Sequence, residues 1–364
     1  MLMTTTHHYY IGIMTGTSLD GIDAALIRAD GDRYTYLSHS EQPMPPALRA
    51  ALYALYQPGD NELHRAAVAA WEHAAASAAA VAALLRETGL DAAAITAIGA
   101  HGQTLRHEPD QEPPYTIQLQ NPARLAELSG IDTIADFRSR DIASGGQGAP
   151  LAPLFQRGLL GLERGTIINI GGIANISLLT AQGSSGYDTG PGNGLMDGWI
   201  QAHRGLPYDA DGDWARSGTL LPDLLARFLA DPYFHRPPPK SSGRDHFHHD
   251  WLNRHLLGIE AAADVQRTLL ELTARSISDA ILAQPTGGEI ILAGGGAKNA
   301  FLIERINAHL AAHGYRCTPC PIPTQALEAA GFAWLAAQFV QRRPLALAAT
   351  TGGQPRILGA LYPA

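Results

Sequence analysis

Three glycine-rich turns carry the residue types best suited to chemistry. The first, TGTSLDG at 15–21, sets Gly16 and Gly21 around Thr17, Ser18 and Asp20. Apolar runs at 11–14 and 22–27 flank it and read as two short strands. A strand–turn–strand of this composition presents backbone N–H groups and hydroxyls to an anion. Asp20 can hold a hydrated Mg²⁺ beside that anion, because hard cations take carboxylate oxygens and water. It is not a Walker A loop: Gly-Lys-Ser/Thr is missing, and the turn leads into a strand rather than a helix. The second turn, Gly171-Gly172, lies between apolar runs at 166–170 and 173–179 and repeats that design. The third, Gly294-Gly295-Gly296, follows the run 289–293 and opens a helix, whose N-terminus favours an anion or a nucleotide edge. Glycine at such places lets backbone approach a ligand closely. Each turn alone is also an ordinary hairpin or loop; the three in this order point to a nucleotide cleft.

The elements that must position these turns alternate between strand and helix patterns. In the first half, strands are expected at 34–39, 95–100, 115–120 and 131–135, and helices at 46–56, 61–88 and 122–128. In the second, helices are expected at 195–203, 220–229, 247–257, 261–283, 300–313 and 327–340. Residues 187–193 read as a tight turn ahead of a helix. One β-turn-β unit opens each half, which suggests two similar α/β domains facing each other, with both turns gripping phosphates; two unrelated hairpins are the alternative. The boundary is expected near Gly145-Gly146, giving domains 1–140 and 141–340, with residues 341–364 packing back on the first.

Composition narrows the class. With 364 residues, two cores are expected. Hydrophobic residues make up 46% and charged residues 16%, as in a globular chain. A net charge of −8 leaves no basic surplus for a nucleic acid, whereas a small anionic ligand needs only a local positive site. Cys317 and Cys320 are too few for a disulfide framework, and as CTPC they could be a redox or zinc half-site or, more simply, incidental thiols. No secretory pattern opens the sequence, and the alanine-rich stretch 66–85 contains Glu72 and His73, so it reads as a helix of a cytoplasmic protein and not as a membrane span. His246, His248, His249, Asp250 and His255 are crowded but lack metal-ligand spacing. Trp71, Trp199, Trp251 and Trp334 fall on expected helices and read as core.

The strings MTGTSLDG (14–21), HGQT (101–104), DFR (136–138), GGQGAP (145–150), NIGGIAN (169–175), DTGPGN (188–193) and GGGAKN (294–299) span nearly the whole chain. Together they resemble the anhydro-N-acetylmuramic acid kinase family, within the sugar kinase, Hsp70 and actin superfamily. Thr15 departs from the serine usual there but keeps the hydroxyl. The resemblance implies two actin-like (ribonuclease H-like) domains flanking an ATP cleft, a homodimer, and a role in peptidoglycan recycling. The reaction implied uses ATP and water to convert 1,6-anhydro-N-acetylmuramic acid to N-acetylmuramic acid 6-phosphate, with Mg²⁺ on the nucleotide. It puts the ATP-binding stretch on Gly16, Thr17, Ser18, Leu19, Asp20, Gly21, Ile22 and Asp23; the second and third glycine turns add Asn169, Gly171, Gly172, Gly294, Gly295, Gly296 and Asn299 as expected ATP contacts. It puts the catalytic base on Asp188.

The chemistry supports a carboxylate there. Water is a poor nucleophile, so a base must take its proton as the anhydro C–O bond breaks; an N-cap for the following helix is the structural alternative. Sugar contacts are expected among His101, Gln103, Asp136, Arg138, Gly190 and Lys240. The lactyl carboxylate needs a cation, with Arg138, Arg140, Lys240 and Arg244 as candidates. Rivals are a kinase for an ordinary hexose on the same scaffold and a nucleotide-switched binding or filament protein.

Overall fold

The computed structural model describes residues 8–238, 240–242 and 246–364. The chain forms two compact units, residues 1–162 with 325–364, and residues 163–324.

The first unit begins with a meander of β1 (His8–Met14), β2 (Gly21–Asp30) and β3 (Arg33–Pro43). After α1 (Pro46–Ala54) and α2 (Glu62–Thr88) come β4 (Ile95–Ala100), the hairpin β5 (Gln103–Glu108) and β6 (Tyr115–Leu119), α3 (Pro122–Ser129) and β7 (Thr133–Ala135). Short helices α4 (Ser139–Ile142) and α5 (Ala152–Leu160) follow. β1 pairs antiparallel with β2 and parallel with β4, and β4 pairs parallel with β7.

The second unit repeats the plan. Its meander is β8 (Gly165–Ile170), β9 (Ile173–Thr180) and β10 (Gly183–Pro191). Helices α6 (Gly194–Arg204), α7 (Asp213–Ser217), α8 (Pro222–Leu229), α9 (Pro232–His235), α10 (His249–His255) and α11 (Ala262–Ala283) lead to β11 (Glu289–Ala293), α12 (Ala300–Ala311) and β12 (Cys317–Pro319). Helix α13 (Thr324–Val340) and β13 (Ala360–Tyr362) complete the first unit. The strand orders are β13-β7-β4-β1-β2-β3 and β10-β9-β8-β11-β12. Leaving out β13, both sheets read third–second–first–fourth–fifth strand, with the same two antiparallel and two parallel pairings. That is the ribonuclease H-like arrangement of actin-like domains, present twice.

The unit boundary lies at 162/163, not at 140/141, and α13 belongs almost wholly to the first unit. Packing explains both. A side chain on Gly12 of β1 or Gly99 of β4 would overlap the carbonyl of Ala329 or Phe332, so the sheet has two bare positions on which α13 lies. A side chain on Gly158 of α5 would strike Trp334, and one on Gly331 would strike Phe155, so α5 and α13 interlock. Asp141, completely buried, accepts from Gly148 N (2.7 Å) and Thr351 Oγ1 (2.9 Å), which ties the segment after α4 to the C-terminal stretch.

Helix ends follow local chemistry. Asn121 caps α3 through Arg124 N, with Pro122 in the first turn, and Gly130 closes the helix at φ 65°. Helix α2 is the one helix among the described residues long and apolar enough to cross a membrane, yet half of that window is buried against its own unit. Trp71 differs from expectation: it is 52% exposed and lies under the Arg124 guanidinium, 3.8 Å from its carbon. Trp199, Trp251 and Trp334 are core residues.

Candidate active site

In the first unit the turn at 15–20 is braced from below. Thr15 Oγ1 donates to Gly102 O (2.9 Å) and lies 3.3 Å from His73 Nε2. His73 is buried, and desolvation lowers it to about 4, so it is neutral. Tyr56 donates to Thr17 O (3.0 Å), and Gln103 Nε2 donates to the Tyr56 hydroxyl (3.0 Å). Arg49 Nε donates to Leu19 O (3.1 Å), with its Nη2 4.0 Å from Asp20. Leu19, in the left-handed region at φ 58°, and Ile22 are both buried in the core. Of the residues expected at ATP, these two offer backbone only. Gly16, Thr17, Ser18 and Asp20 present accessible atoms, and Gly21 starts β2.

Gln103 is wholly buried; its Nε2 braces the turn through Tyr56, while its Oε1 has no hydrogen-bond partner among the described residues. A Tyr56→Phe variant should therefore raise the ATP KM by about fivefold, the cost of one neutral hydrogen bond of about 1 kcal/mol, with kcat for the sugar little changed. Steady-state kinetics read this directly, and an unaltered ATP KM would remove the brace from the account.

Beside the turn sits a charged cluster. Asp23 of β2 stands directly opposite Glu41 of β3. Desolvation, Glu41 and Glu328 of α13 together push Asp23 up to about 7. Glu328 is also raised, by desolvation first, while Arg138 pulls it back. Arg138 donates from Nε to His101 Nε2 (3.1 Å) and from Nη1 to Gly148 O (2.8 Å). Burial and then Arg138 drive His101 well below its ordinary value, so it is a neutral acceptor with the proton on Nδ1. His101, 4% exposed and packed 4.6 Å from the Phe332 ring, aims Arg138 and does not face solvent. Arg138 Nη2 makes no hydrogen bond among the described residues. Asp136 is exposed at φ 58°, at the tip after β7.

In the second unit, residues 187–193 do not form a turn. Asp188 is inside β10, next to a bulge between Asp188 and Gly190. Asp188 pairs opposite Asn175 on β9, and Asn175 pairs opposite Asn169 on β8. Directly opposed residues point to one face about 5 Å apart, so the three make a half-buried polar row across an otherwise apolar sheet. The row ends beside Gly171-Gly172. The carbonyls of that turn accept from Gly192 N (2.9 Å), Asn193 N (2.7 Å) and Gly194 N (3.0 Å), which fixes the start of α6 against it. Asn193 Nδ2 reaches Ile170 O (3.3 Å), and a side chain on Gly296 would come 2.8 Å from its Oδ1, while one on Gly295 would be in ordinary contact with its Nδ2. The second and third glycine turns therefore meet at Asn193. A cavity of about 450 Å³ opens there, lined by Gly171, Gly172, Asn193, Asp197, Trp199 and Gly295 among others.

Asp188 is not a helix cap; Asn193 holds that position in α6. Its Oδ2 accepts from Ser242 N (2.9 Å), its N–H donates to Lys240 O (3.1 Å), and its carbonyl accepts from the Tyr233 hydroxyl (2.7 Å). Desolvation raises its carboxyl, with the Ser242 N–H working against that. Lys240 Nζ is turned to Tyr233, donating to its carbonyl (3.2 Å) and lying 4.8 Å from its ring centroid. It pins the 240–242 segment over Asp188. Gly190 is buried, and a side chain there would come 2.7 Å from the Phe234 ring, so packing favours a glycine. Asn299 Oδ1 caps α12 through Leu302 N (2.9 Å). Arg244 and Asp245 lie outside the described residues. The histidines act separately: His246 meets Asp231 (3.2 Å), His248 caps α10, and His255 bonds Trp251 O. Cys317 is buried with its thiol pushed up to about 12 by desolvation, and both cysteines are free thiols.

Sequence reasoning did not single out Tyr56, Asn175, Asp197 or Glu328. The alternation break at Asn169 and Asn175 in apolar strands was a readable signal; Glu328 and Asp197 look like ordinary helix-surface carboxylates until the fold is known.

The two ribonuclease H-like units, each opening on a glycine hairpin, define an actin-like scaffold. The sequence model for anhydro-N-acetylmuramic acid kinase matches residues 8–364. Curated proteins of that name are 48% identical over 367 residues in Cupriavidus pinatubonensis (97% of this chain, 98% of the relative) and 49% identical over 364 residues in Pseudomonas paraeruginosa (98% and 99%). Among solved structures, component A of (R)-2-hydroxyglutaryl-CoA dehydratase from Acidaminococcus fermentans is similar at 9% identity and a TM-score of 0.48, covering 90% of this chain and 96% of that one. The chain belongs to the anhydro-N-acetylmuramic acid kinase family.

Proposed function

We propose that the chain uses ATP and water to open 1,6-anhydro-N-acetylmuramic acid and deliver N-acetylmuramic acid 6-phosphate. Asp188 is the base. It takes a proton from water as the water oxygen bonds to C1 and the C1–O6 bond breaks. The freed O6 then attacks the γ-phosphorus, and ADP leaves. The observation that carries this reading is the placement of Asp188: a half-buried carboxylate, raised by desolvation, in a polar row that ends at a phosphate-type turn. A base of raised pKa is better matched to proton transfer near neutrality than an ordinary aspartate.

ATP contacts are assigned to the backbone and hydroxyls at Gly16, Thr17, Ser18 and Gly21, and to Asn169, Gly171, Gly172, Gly294, Gly295 and Gly296. Asp23, pushed up to about 7 by desolvation and by Glu41 and Glu328, is a carboxyl at the edge of the first turn. Arg138, aimed by His101, is the cation for the lactyl carboxylate. Among the described residues no group of three or more His, Cys, Asp or Glu side chains gathers as a metal cage. Mg²⁺ fits instead as an ion carried by the nucleotide, with exposed Asp20 as its one protein carboxylate, through water; there it neutralises phosphate charge. The protein is placed in the cytoplasm, as a homodimer, in the recycling of peptidoglycan sugars.

The direct test is ATP consumption by the purified protein with the anhydro-sugar against a panel of ordinary hexoses. Turnover with the anhydro-sugar alone is the expected result. Equal turnover with a hexose, or steady ATPase activity indifferent to sugar, would overturn the assignment.

A further inference from the structure

The cavity at the start of α6 contains one carboxylate with no task in the fold. Asp197 lies one helical turn, about 5 Å, beyond Gly194, on the face that lines the cavity with Gly171, Gly172 and Asn193. Among the described residues its carboxylate makes no hydrogen bond or ion pair. Its nearest charged influence is unfavourable: after desolvation, the Asp209 carboxylate raises it further, to about 6. Asp209 by contrast is fully employed, accepting from Trp214 N, Ala215 N (both 2.9 Å) and Gln266 Nε2 (3.3 Å). The rest of the cavity offers apolar walls in Trp199, Phe247 and Leu252, the imidazoles of His248 and His249, and a glycine rim.

A partly desolvated, unpaired carboxylate costs stability, and the sign is definite. A carboxyl whose folded pKa is raised from 3.8 to about 6 loses folded-state stability as pH climbs through that window. Such a group is explained by a ligand that supplies donors. Phosphate cannot, since it would be repelled, and an adenine edge needs both donors and acceptors. A vicinal diol supplies two O–H donors to one carboxylate. We propose that Asp197 is the ribose-reading residue of this cavity, accepting from the 2′- and 3′-hydroxyls of the nucleotide, and that it sets the preference for ribonucleotides over deoxyribonucleotides. The distance of one helical turn from the Gly194 end suits a ribose next to phosphates held at the glycine turn. This rests on the assignment of ATP to that turn.

The test compares Asp197→Asn with the unaltered protein, using ATP, 2′-deoxy-ATP and 3′-deoxy-ATP with the anhydro-sugar. The unaltered protein should show a KM at least tenfold lower for ATP than for either deoxy analogue. Asp197→Asn should raise the ATP KM about tenfold, compress that discrimination to within about threefold, and leave the sugar KM unchanged, because one charge-assisted bond commonly contributes about 1.5 kcal/mol or more. Its thermal midpoint at neutral pH should stay level or rise, whereas a residue needed only for structure would lower it. Full discrimination in Asp197→Asn, or none in the unaltered protein, overturns the ribose role while ATP-dependent turnover still stands. Absence of any ATP-dependent turnover in the unaltered protein would instead remove the functional reading beneath it.

Discussion

On the mechanism proposed above, Asp188→Asn should lower kcat by about 10³-fold or more while leaving the fold and ATP binding intact, because the substitution removes the proposed base without removing a structural bond. The Ser242 N–H donates to Oδ2 at 2.9 Å, and an asparagine oxygen can accept the same bond. The other two anchors of this residue, to Lys240 O and Tyr233 Oη, are made by its backbone and survive any side-chain change. What disappears is the ability to take a proton from water. The pH profile adds a second check. Desolvation raises the Asp188 carboxyl, and the base works only when ionised. Turnover in the unaltered protein should therefore fall on acidification at a pH above the ordinary aspartate range. Calorimetric ATP affinity and thermal midpoint measured beside kcat separate loss of chemistry from loss of structure. Near-normal turnover in Asp188→Asn would remove this residue from the mechanism.

Glu271→Gln destabilises the protein by about 3–5 kcal/mol, the usual cost of stripping one partner from a buried ion cluster. Glu271 of α11 is 2% exposed and accepts from Arg267 (2.8 Å), Arg305 (2.9 and 3.2 Å) and His309 (2.7 Å), the last two on α12. An uncharged amide leaves the two guanidinium groups without the buried carboxylate they share. The same cluster sets an acid limit. Burial alone would push Glu271 up, but the hydrogen bonds from Arg305, Arg267 and His309 hold it at about 2. A depressed carboxyl stabilises the fold fully above its unfolded value of 4.5 and loses that contribution as pH falls through about 2. Urea midpoints at neutral pH and a series from pH 6 to pH 2 read both effects. Glu271→Gln should start lower and lack the steep acid loss; a difference under about 1 kcal/mol between the two proteins at neutral pH would contradict the account. The clamp matters for the site because α12 leaves directly from the Gly294–Asn299 turn, and α11 holds the 191–192 backbone through Thr273, at 3.0 Å to Pro191 O and Gly192 O.

Much of this was legible before any coordinates. Buried strands of four to eight apolar residues beside glycine turns stood out, as did the repeat of that unit in both halves, because hydrophobic period and glycine placement are local signals. Where the reading failed, the cause was tertiary. DTGPGN looks like a turn because Gly190, Pro191 and Gly192 are turn formers, yet the segment through Pro191 is an edge strand with a bulge, where glycine relieves Phe234. The domain boundary followed the most glycine-rich segment, but Asp141 and the α5–α13 contact carry the first unit past it. His101, Gln103 and Lys240 each hydrogen-bond a protein group that their local sequence does not announce: Arg138, Tyr56 and Tyr233. Glu328 is brought to Asp23 and Arg138 only by the long return of α13, which no spacing in the chain announces.

The most direct measurement is product analysis by mass spectrometry after reaction with ATP and 1,6-anhydro-N-acetylmuramic acid in ¹⁸O-water. The account predicts one sugar monophosphate, phosphorylated at O6, with a single solvent oxygen at the anomeric carbon and one ADP formed for each sugar. A phosphorylated sugar that still holds its anhydro bridge, or one with no solvent oxygen at C1, would contradict it.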